Sequence, residues 1–359
     1  MRVLLPEHIV QSHGGRLTRL APALEFVPLR IERRVSMART LLRRTAERCM
    51  PYGAYAPLQD WMAGGASYRF FTGSRRLESP LPEVQGLLAT WLMDRECLGT
   101  LLPLLPGLRW LHSTKSGVDH LPEELLKGGE ISVTASRGVH SGLIAEFVIG
   151  LVYCFSKGFL EHRELQERRT WGQFPSLTVE GKTMGVLGMG GIGREVARRA
   201  RANGMRVYGL NRQGREDALF DRVYSAPGIS EVLGESDFVA VCLPLTRHTR
   251  GMIGAAELRC MKKGAFLINI ARDHIVDEAA LVAALRKRDI AGAAVDVVSN
   301  DYLPRNHPFY SLRNVLITHH CAYRGEAPSA ALMEIFEENL KRFAKGEPLE
   351  GRVDLSAGY

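Results

Sequence analysis

The stretch KTMGVLGMGGIGREVARRARANGMRVYGLNR, residues 182–212, decides the fold. MGVLG at 184–188 is an apolar run of strand length, EVARRARANG has the spacing of a helix with one apolar face, and RVYGL at 206–210 is a second strand. Strand, helix and strand in one short stretch make a βαβ unit, whose strands lie parallel. The alternation continues through RVYS (222–225), FVAVCL (238–243), AFLINI (265–270), GAAVDVV (292–298) and VLIT (315–318), so seven strands form one doubly wound domain. Upstream, MRVLL, LEFVPL, SYRFF, VQGLLAT, LRWLHS and ISVTAS (131–136) predict a separate, smaller α/β unit. Residues 144–160 predict one connecting helix, and the amphipathic run 328–345 predicts a helix that returns the chain to the first unit. Residues 31–67 carry little strand signal and read as an added helical excursion.

The turn between the first two strands is Gly188-Met-Gly190-Gly191-Ile192-Gly193. In a strand-turn-helix setting each glycine has a reason: Gly188 permits the tight turn, Gly190 lets backbone approach a pyrophosphate, and Gly193 lets helix and strand pack closely. The helix N-terminus supplies amide donors for the anion. At the end of the next strand an NAD site normally keeps Asp or Glu for the adenosine ribose. Here stand Asn211 and Arg212, with Arg215 behind them. A carboxylate would repel a ribose 2′-phosphate, whereas Asn and Arg can bond it, so the sequence favours NADP(H) and leaves NAD(H) open.

Three further residues stand past the carboxyl ends of strands, where open α/β sheets collect ligands: Arg272, Asp301 and His320. Arg offers a fixed bidentate donor for a carboxylate or carbonyl, His exchanges a proton near neutral pH, and a carboxylate beside it favours the charged imidazole. Together they suit a 2-oxo acid.

Composition bounds the alternatives. At 359 residues, with 45% hydrophobic and 24% charged residues, the chain is a folded globular protein of two-domain length. No apolar run approaches a membrane span, and MRVLLPEHIVQ reads as a buried strand rather than a signal peptide. Six cysteines without zinc or disulfide spacing imply no metal site and fit a cytoplasmic protein. Of the net charge of +8, a surplus of five lies between Arg30 and Arg48 (seven Arg, two Glu). No aromatic residues interleave those arginines, so the stretch reads as a solvated helix rather than a nucleic-acid surface.

From about Leu111 to Ala322 the sequence resembles the D-isomer-specific 2-hydroxyacid dehydrogenases. LHSTKSGVDHL (111–121) is similar to that family's substrate-carboxylate loop, GVHSGLIAEFVIG (138–150) to its interdomain helix, and VCLPLTRHTRGMI (241–253) to the strand and turn beside the nicotinamide. NIARDHIVDEAAL (269–281) resembles the segment with the catalytic Arg, here Arg272, and HPFYSLRNVLITHH (307–320) the segment with the catalytic His, here His320.

The resemblance implies two Rossmann-like doubly wound domains, with a nucleotide-binding domain (144–323) inserted into a smaller flavodoxin-like substrate domain (1–143 and 324–359) and a cleft that closes over the ligand. It implies hydride transfer between nicotinamide and C2 of a small 2-oxo or 2-hydroxy acid, with His320 moving the proton, Arg272 polarising the oxygen, and the amides of Ser116 and Gly117 binding the carboxylate. Cofactor contacts fall at Gly188, Gly190, Gly191, Ile192, Gly193, Asn211, Arg212, Pro244, Thr246 and Asp296. A homodimer is expected.

The departures are specific. The family's acid is usually Glu and is Asp301 here, one methylene shorter, followed by Tyr302 where Pro is common. His319 replaces the Pro before the catalytic His, and Asp273 and His274 replace the small residues after the Arg. The changed acid and the basic 30–48 stretch also suit a second kind of molecule, an NAD(P)-sensing, corepressor-like binding protein with little turnover.

Overall fold

The computed structural model describes residues 1–354 apart from 36, 51–65, 91–92, 119, 123–124, 126–129, 300–301 and 326–327. Asp301 and the Pro- and Gly-rich end of the 31–67 excursion lie outside the described residues. The chain divides into two units: one holds most of the first 139 residues together with the C-terminal helix, and the other runs from His140 to Gly325.

In the first unit the elements are β1 (Arg2–Pro6), α1 (Glu7–Leu20), β2 (Glu25–Val35), α2 (Met37–Cys49), β3 (Ala66–Thr72), β4 (Arg75–Arg76), β5 (Val84–Ala89), α3 (Arg95–Leu101), β6 (Trp110–Ser113) and β7 (Ser132–Ala135). The sheet order is β4-β3-β2-β1-β5-β6-β7. Its five parallel strands, β2-β1-β5-β6-β7, follow the flavodoxin-like order, in which the second strand lies outside the first. The excursion corrects the sequence reading in part. Arg30, Arg33 and Arg34 lie on β2, which runs on to Val35 paired antiparallel with β3; only the later arginines belong to a helix, α2. Propensity gives no hint of a strand in RIERRV. The strand forms because β3 supplies a ladder and because Ile31, Tyr68 and Phe70 turn one face onto the core.

The second unit contains α4 (Ser141–Ser156), α5 (Phe159–Glu167), β8 (Thr183–Leu187), α6 (Gly191–Ala202), β9 (Arg206–Leu210), β10 (Arg222–Tyr224), α7 (Ile229–Glu235), β11 (Phe238–Val241), α8 (Ala255–Cys260), β12 (Phe266–Asn269), α9 (Glu278–Lys287), β13 (Gly292–Val295) and β14 (Val315–Ile317). All seven strands are parallel, in the order β10-β9-β8-β11-β12-β13-β14. This is the dinucleotide-binding order with one strand added at its end. Strands buried on both faces explain the unbroken apolar runs, as in β8, whose five residues are all buried. The predicted single helix over 144–160 is two helices, α4 and α5, bent by 58°. Gly158 between them has φ +63, and a side chain there would enter the ring of Phe174.

The C-terminal helix, α10 (Pro328–Lys345), belongs to the first unit. Phe336 and Leu340 join Val3, Leu5, Leu17 and Trp110 in one buried cluster, and the Phe336 ring stacks on Trp110 at 5.5 Å. Among the described residues no single helix is long and apolar enough to cross a membrane.

Candidate active site

The crevice of an open parallel sheet opens where the strand order reverses, here between β8 and β11. The glycine-rich turn leaves β8 at that point. Gly188 has φ +103, and a Cβ on it would stand 2.7 Å from the carbonyl oxygen of Cys242, just past β11. A Cβ on Gly193 would run into the carbonyl oxygen of Gly188, so only glycine lets α6 begin this close to the strand. Gly190 differs: a Cβ there would meet no protein atom within 4 Å, although Gly190 caps α6. Space left open beside the amide end of a 12-residue helix fits a pyrophosphate. Gly191 and Ile192 form the first turn of α6.

The residues after β9 divide their work differently from the sequence reading. Asn211 folds its own loop: its Oδ1 accepts from the amides of Gln213 and Arg215, both at 3.0 Å, and its Nδ2 donates to the Arg215 carbonyl at 2.8 Å. Both ends of its amide are engaged, which leaves Arg212 and Arg215, both exposed, as the cations at this corner. After β11, Thr249 ties the next loop, accepting from the Thr246 amide at 2.8 Å and donating to the Pro244 carbonyl at 2.6 Å.

Arg272, Asp296 and His320 follow β12, β13 and β14, three neighbouring strands. Buried Asn269 shapes the turn that presents Arg272, accepting from the Ala271 amide (3.1 Å) and donating to the Arg272 carbonyl (3.0 Å). Asp296 is 2% exposed, and its carboxylate accepts from the Thr318 hydroxyl (2.5 Å), the Cys321 amide (2.9 Å) and the Ala322 amide (3.1 Å). Its carbonyl accepts from the His320 amide at 2.8 Å. These bonds hold His320 at φ +47, a left-handed conformation that a non-glycine residue keeps only when its surroundings enforce it. Asp296 was expected as a cofactor contact; in the structure its carboxylate builds the loop that carries His320.

His320 is half-buried and His319 exposed. The ring of Tyr323 meets His320 edge-on at 5.5 Å and His140 at 5.6 Å. Burial pushes the His140 imidazole down from its ordinary value. Asp273 accepts from the Ser299 hydroxyl at 2.8 Å, which links the turn after Arg272 to the loop after β13.

In the first unit, Ser116 and Gly117 follow β6. The Ser113 hydroxyl bonds the amide and carbonyl of Lys115 (3.1 and 3.2 Å), and the Ser116 hydroxyl donates to the Ser136 carbonyl at 3.0 Å. The amides of Ser116 and Gly117 donate to no described oxygen. Sequence reasoning missed Asn269, Thr249, Thr318 and Tyr323. The readable signal was a polar side chain ending an otherwise apolar strand, as in LIN and LIT.

Residues 149–322 match the family model described as D-isomer specific 2-hydroxyacid dehydrogenase, NAD binding domain. A glyoxylate reductase of Aeropyrum pernix is 36% identical over 270 residues, which are 72% of this chain and 80% of the relative. The structure of a D-isomer specific 2-hydroxyacid dehydrogenase from Xanthobacter autotrophicus Py2, in complex with NADPH and MES, superimposes with a TM-score of 0.73 at 26% identity over 99% of each chain. That span gives the first hundred residues, which resemble the family only weakly in sequence, a structural counterpart. An NADPH-dependent glyoxylate/hydroxypyruvate reductase of Sinorhizobium meliloti, in complex with NADP and sulfate, matches with a TM-score of 0.68 at 26% identity, over 77% of this chain and 86% of its own. With its two doubly wound sheets, its glycine turn and its segments around Arg272 and His320, the chain belongs to the D-isomer-specific 2-hydroxyacid dehydrogenase family and is a nicotinamide-dependent oxidoreductase acting on a CH-OH group.

Proposed function

We propose that the protein reduces a small 2-oxo acid to the D-2-hydroxy acid with NADPH in preference to NADH. The observation that carries this is the arrangement past β12–β14, where Arg272 and His320 follow the two strands that flank β13, on turns built by buried Asn269 and Asp296. Bound over the glycine turn, the nicotinamide cofactor supplies a hydride to substrate C2. The imidazolium of His320 gives the proton to the carbonyl oxygen in the same reduction, which then balances, and takes it back in oxidation. Arg272 holds the carboxylate and draws charge from the carbonyl, and the open amides of Ser116 and Gly117 take the carboxylate's remaining oxygen lone pairs. Asp301 is assigned to keeping His320 charged. Gly188, Gly190, Gly191, Ile192 and Gly193 hold the pyrophosphate, Pro244 and Thr246 line the nicotinamide side, and Arg212, with Arg215, takes the 2′-phosphate.

A homodimer accords with the second unit's surface. Phe159, Trp171, Phe174 and Leu177 are exposed in one stretch after α4, with Trp171 fully so. Sedimentation checks this. The reaction is tested by following NADPH and NADH absorbance with glyoxylate, hydroxypyruvate, pyruvate and a bulky 2-oxo acid. Turnover with NADPH ahead of NADH is expected; cofactor binding with no turnover of any acid would favour the binding-protein reading.

A further inference from the structure

We propose that His112, which takes no part in the proton or hydride transfer, is a positioning residue for the substrate's carboxylate: through Ser136 it holds the turn that presents the amides of Ser116 and Gly117. The inference rests on the reading of that turn as the carboxylate site.

His112 lies on β6 with 0% exposure. Its Nδ1 stands 2.8 Å from the Thr134 hydroxyl oxygen and its Nε2 3.0 Å from the Ser136 hydroxyl oxygen, and both partners are buried. The Trp110 indole N–H donates to the same Thr134 oxygen at 2.9 Å. An indole N–H can only donate, so the Thr134 oxygen accepts from Trp110, and a neutral imidazole offers one donor and one acceptor to the Thr134 and Ser136 hydroxyls. In either tautomer the ring bonds both hydroxyls, so a continuous chain of bonds runs from the aromatic core to Ser136.

Ser136 is where that chain meets the turn. Its amide donates to the Ser113 carbonyl at 3.0 Å, and its carbonyl accepts from the Ser116 hydroxyl at 3.0 Å. The turn is thereby fastened from below by Ser136 and from within by the Ser113 hydroxyl on Lys115, while the amides of Ser116 and Gly117 meet no acceptor among the described residues. An open pair of amides binds an anion well only if its backbone is already in place.

The surroundings argue against a purely packing role. Trp110 and Phe336 flank the ring, at 6.1 and 5.5 Å, and apolar residues at 112, 134 and 136 would avoid the cost of burying three polar side chains. Burial pushes the imidazole down to about 4, so near neutral pH it is uncharged and keeps one nitrogen as an acceptor. A fully satisfied buried network fixes one geometry where packing alone would permit several.

The test uses the full-length protein, with steady-state kinetics on glyoxylate, NADPH affinity by fluorescence, and hydrogen exchange of the 113–118 segment. His112→Phe keeps a flat aromatic ring and removes both bonds; the expected result is a KM raised about ten-fold, kcat changed by less than about three-fold, unchanged NADPH affinity and faster exchange at 113–118. His112→Gln, which can restore a donor towards Ser136, should recover part of the KM. If His112→Phe does not fold, Ser136→Ala removes only the hydroxyl and should move KM and exchange in the same direction. A folded variant with KM within about two-fold of wild type and unchanged exchange overturns the proposal, as does a parallel loss of kcat, KM and NADPH affinity. Failure of the underlying reading has a different signature: wild-type protein that turns over no 2-oxo acid, in which case exchange at 113–118 still decides whether His112 holds the turn.

Discussion

Arg272 and Arg212 are both arginines at strand ends, and the chemistry asked of each differs. In the proposed reaction Arg272 presents a planar fork to a carboxylate from a turn fixed by Asn269, so a lysine at the same place would supply charge without the two parallel bonds. Arg272→Lys is expected to lose at least about a hundred-fold in kcat/KM for any 2-oxo acid while NADPH affinity stays within a factor of about two, measured by initial rates and by fluorescence titration. Near wild-type efficiency would remove Arg272 from the site. Arg212 faces solvent, and the proposed contact with a 2′-phosphate would be worth about 1.5 to 3 kcal/mol as a charge-assisted bond. Arg212→Ala should therefore weaken NADPH roughly ten-fold or more and leave NADH nearly unchanged. An equal loss for both cofactors would sink the phosphate assignment. At this scale the sequence showed which residue types stand at strand ends, because position past a strand is legible from periodicity. It did not show how Asp296 is used. A carboxylate's role depends on which amides surround it, and the amides of Cys321 and Ala322 reach it only through the fold.

Elements were legible wherever a hydrophobic period was sustained. Every strand predicted in the second unit is present, and the disagreements are at the ends: GAAVDVV stops as a strand at Val295, because Asp296 turns away to build the His320 loop. The helix over 144–160 was read as one because Gly158 sits in an apolar run, and only Phe174, sixteen residues later, shows why the backbone must bend there. The arginine-bearing end of β2 was illegible for a similar reason, since its partner β3 lies some thirty residues away. The glycine turn, by contrast, is a local device whose parts separate cleanly in experiment. Gly193→Ala drives a methyl into the Gly188 carbonyl and should destabilise the second unit by about 1–3 kcal/mol. Gly190→Ala meets only open space, so its Tm should match the wild type while affinity for NADH and NADPH falls together, by at least about ten-fold. Calorimetry and cofactor titration on the two variants check this; a Gly190→Ala protein that binds cofactor normally would mean that the pyrophosphate lies elsewhere.

On the scale of the whole molecule, two sheets of different strand order carry separate cores, and the one with the weaker family resemblance in its sequence holds the least expected group, a neutral histidine with 0% exposure. Sequence could not reveal it, because WLHS alternates no more clearly than any short strand, and the partners arrive from elsewhere in the chain, Thr134 on β7 and Ser136 just past it. That histidine gives the first unit a defined response to acid. An unfolded chain binds a proton at histidine near pH 6.5, whereas in the folded unit burial holds His112 to about 4. Between those values the unfolded state carries a proton that the folded state refuses, so stability falls as pH falls; above about 6.5 His112 contributes no pH dependence. Integrated over the window, the loss is about 3 kcal/mol, of the order of a large core mutation. His140, in the second unit, has its imidazole lowered in the same direction, so the measurement must report the first unit alone. Urea unfolding followed by pulse-labelling of the 110–136 peptide, at pH values from 7 to 4, isolates it. Wild-type stability should decline across that range, and His112→Gln, which has no imidazole to protonate, should decline less by about the same 3 kcal/mol. Parallel slopes for the two proteins would mean that the folded unit accepts the proton on His112 after all, and that burial does not keep it neutral.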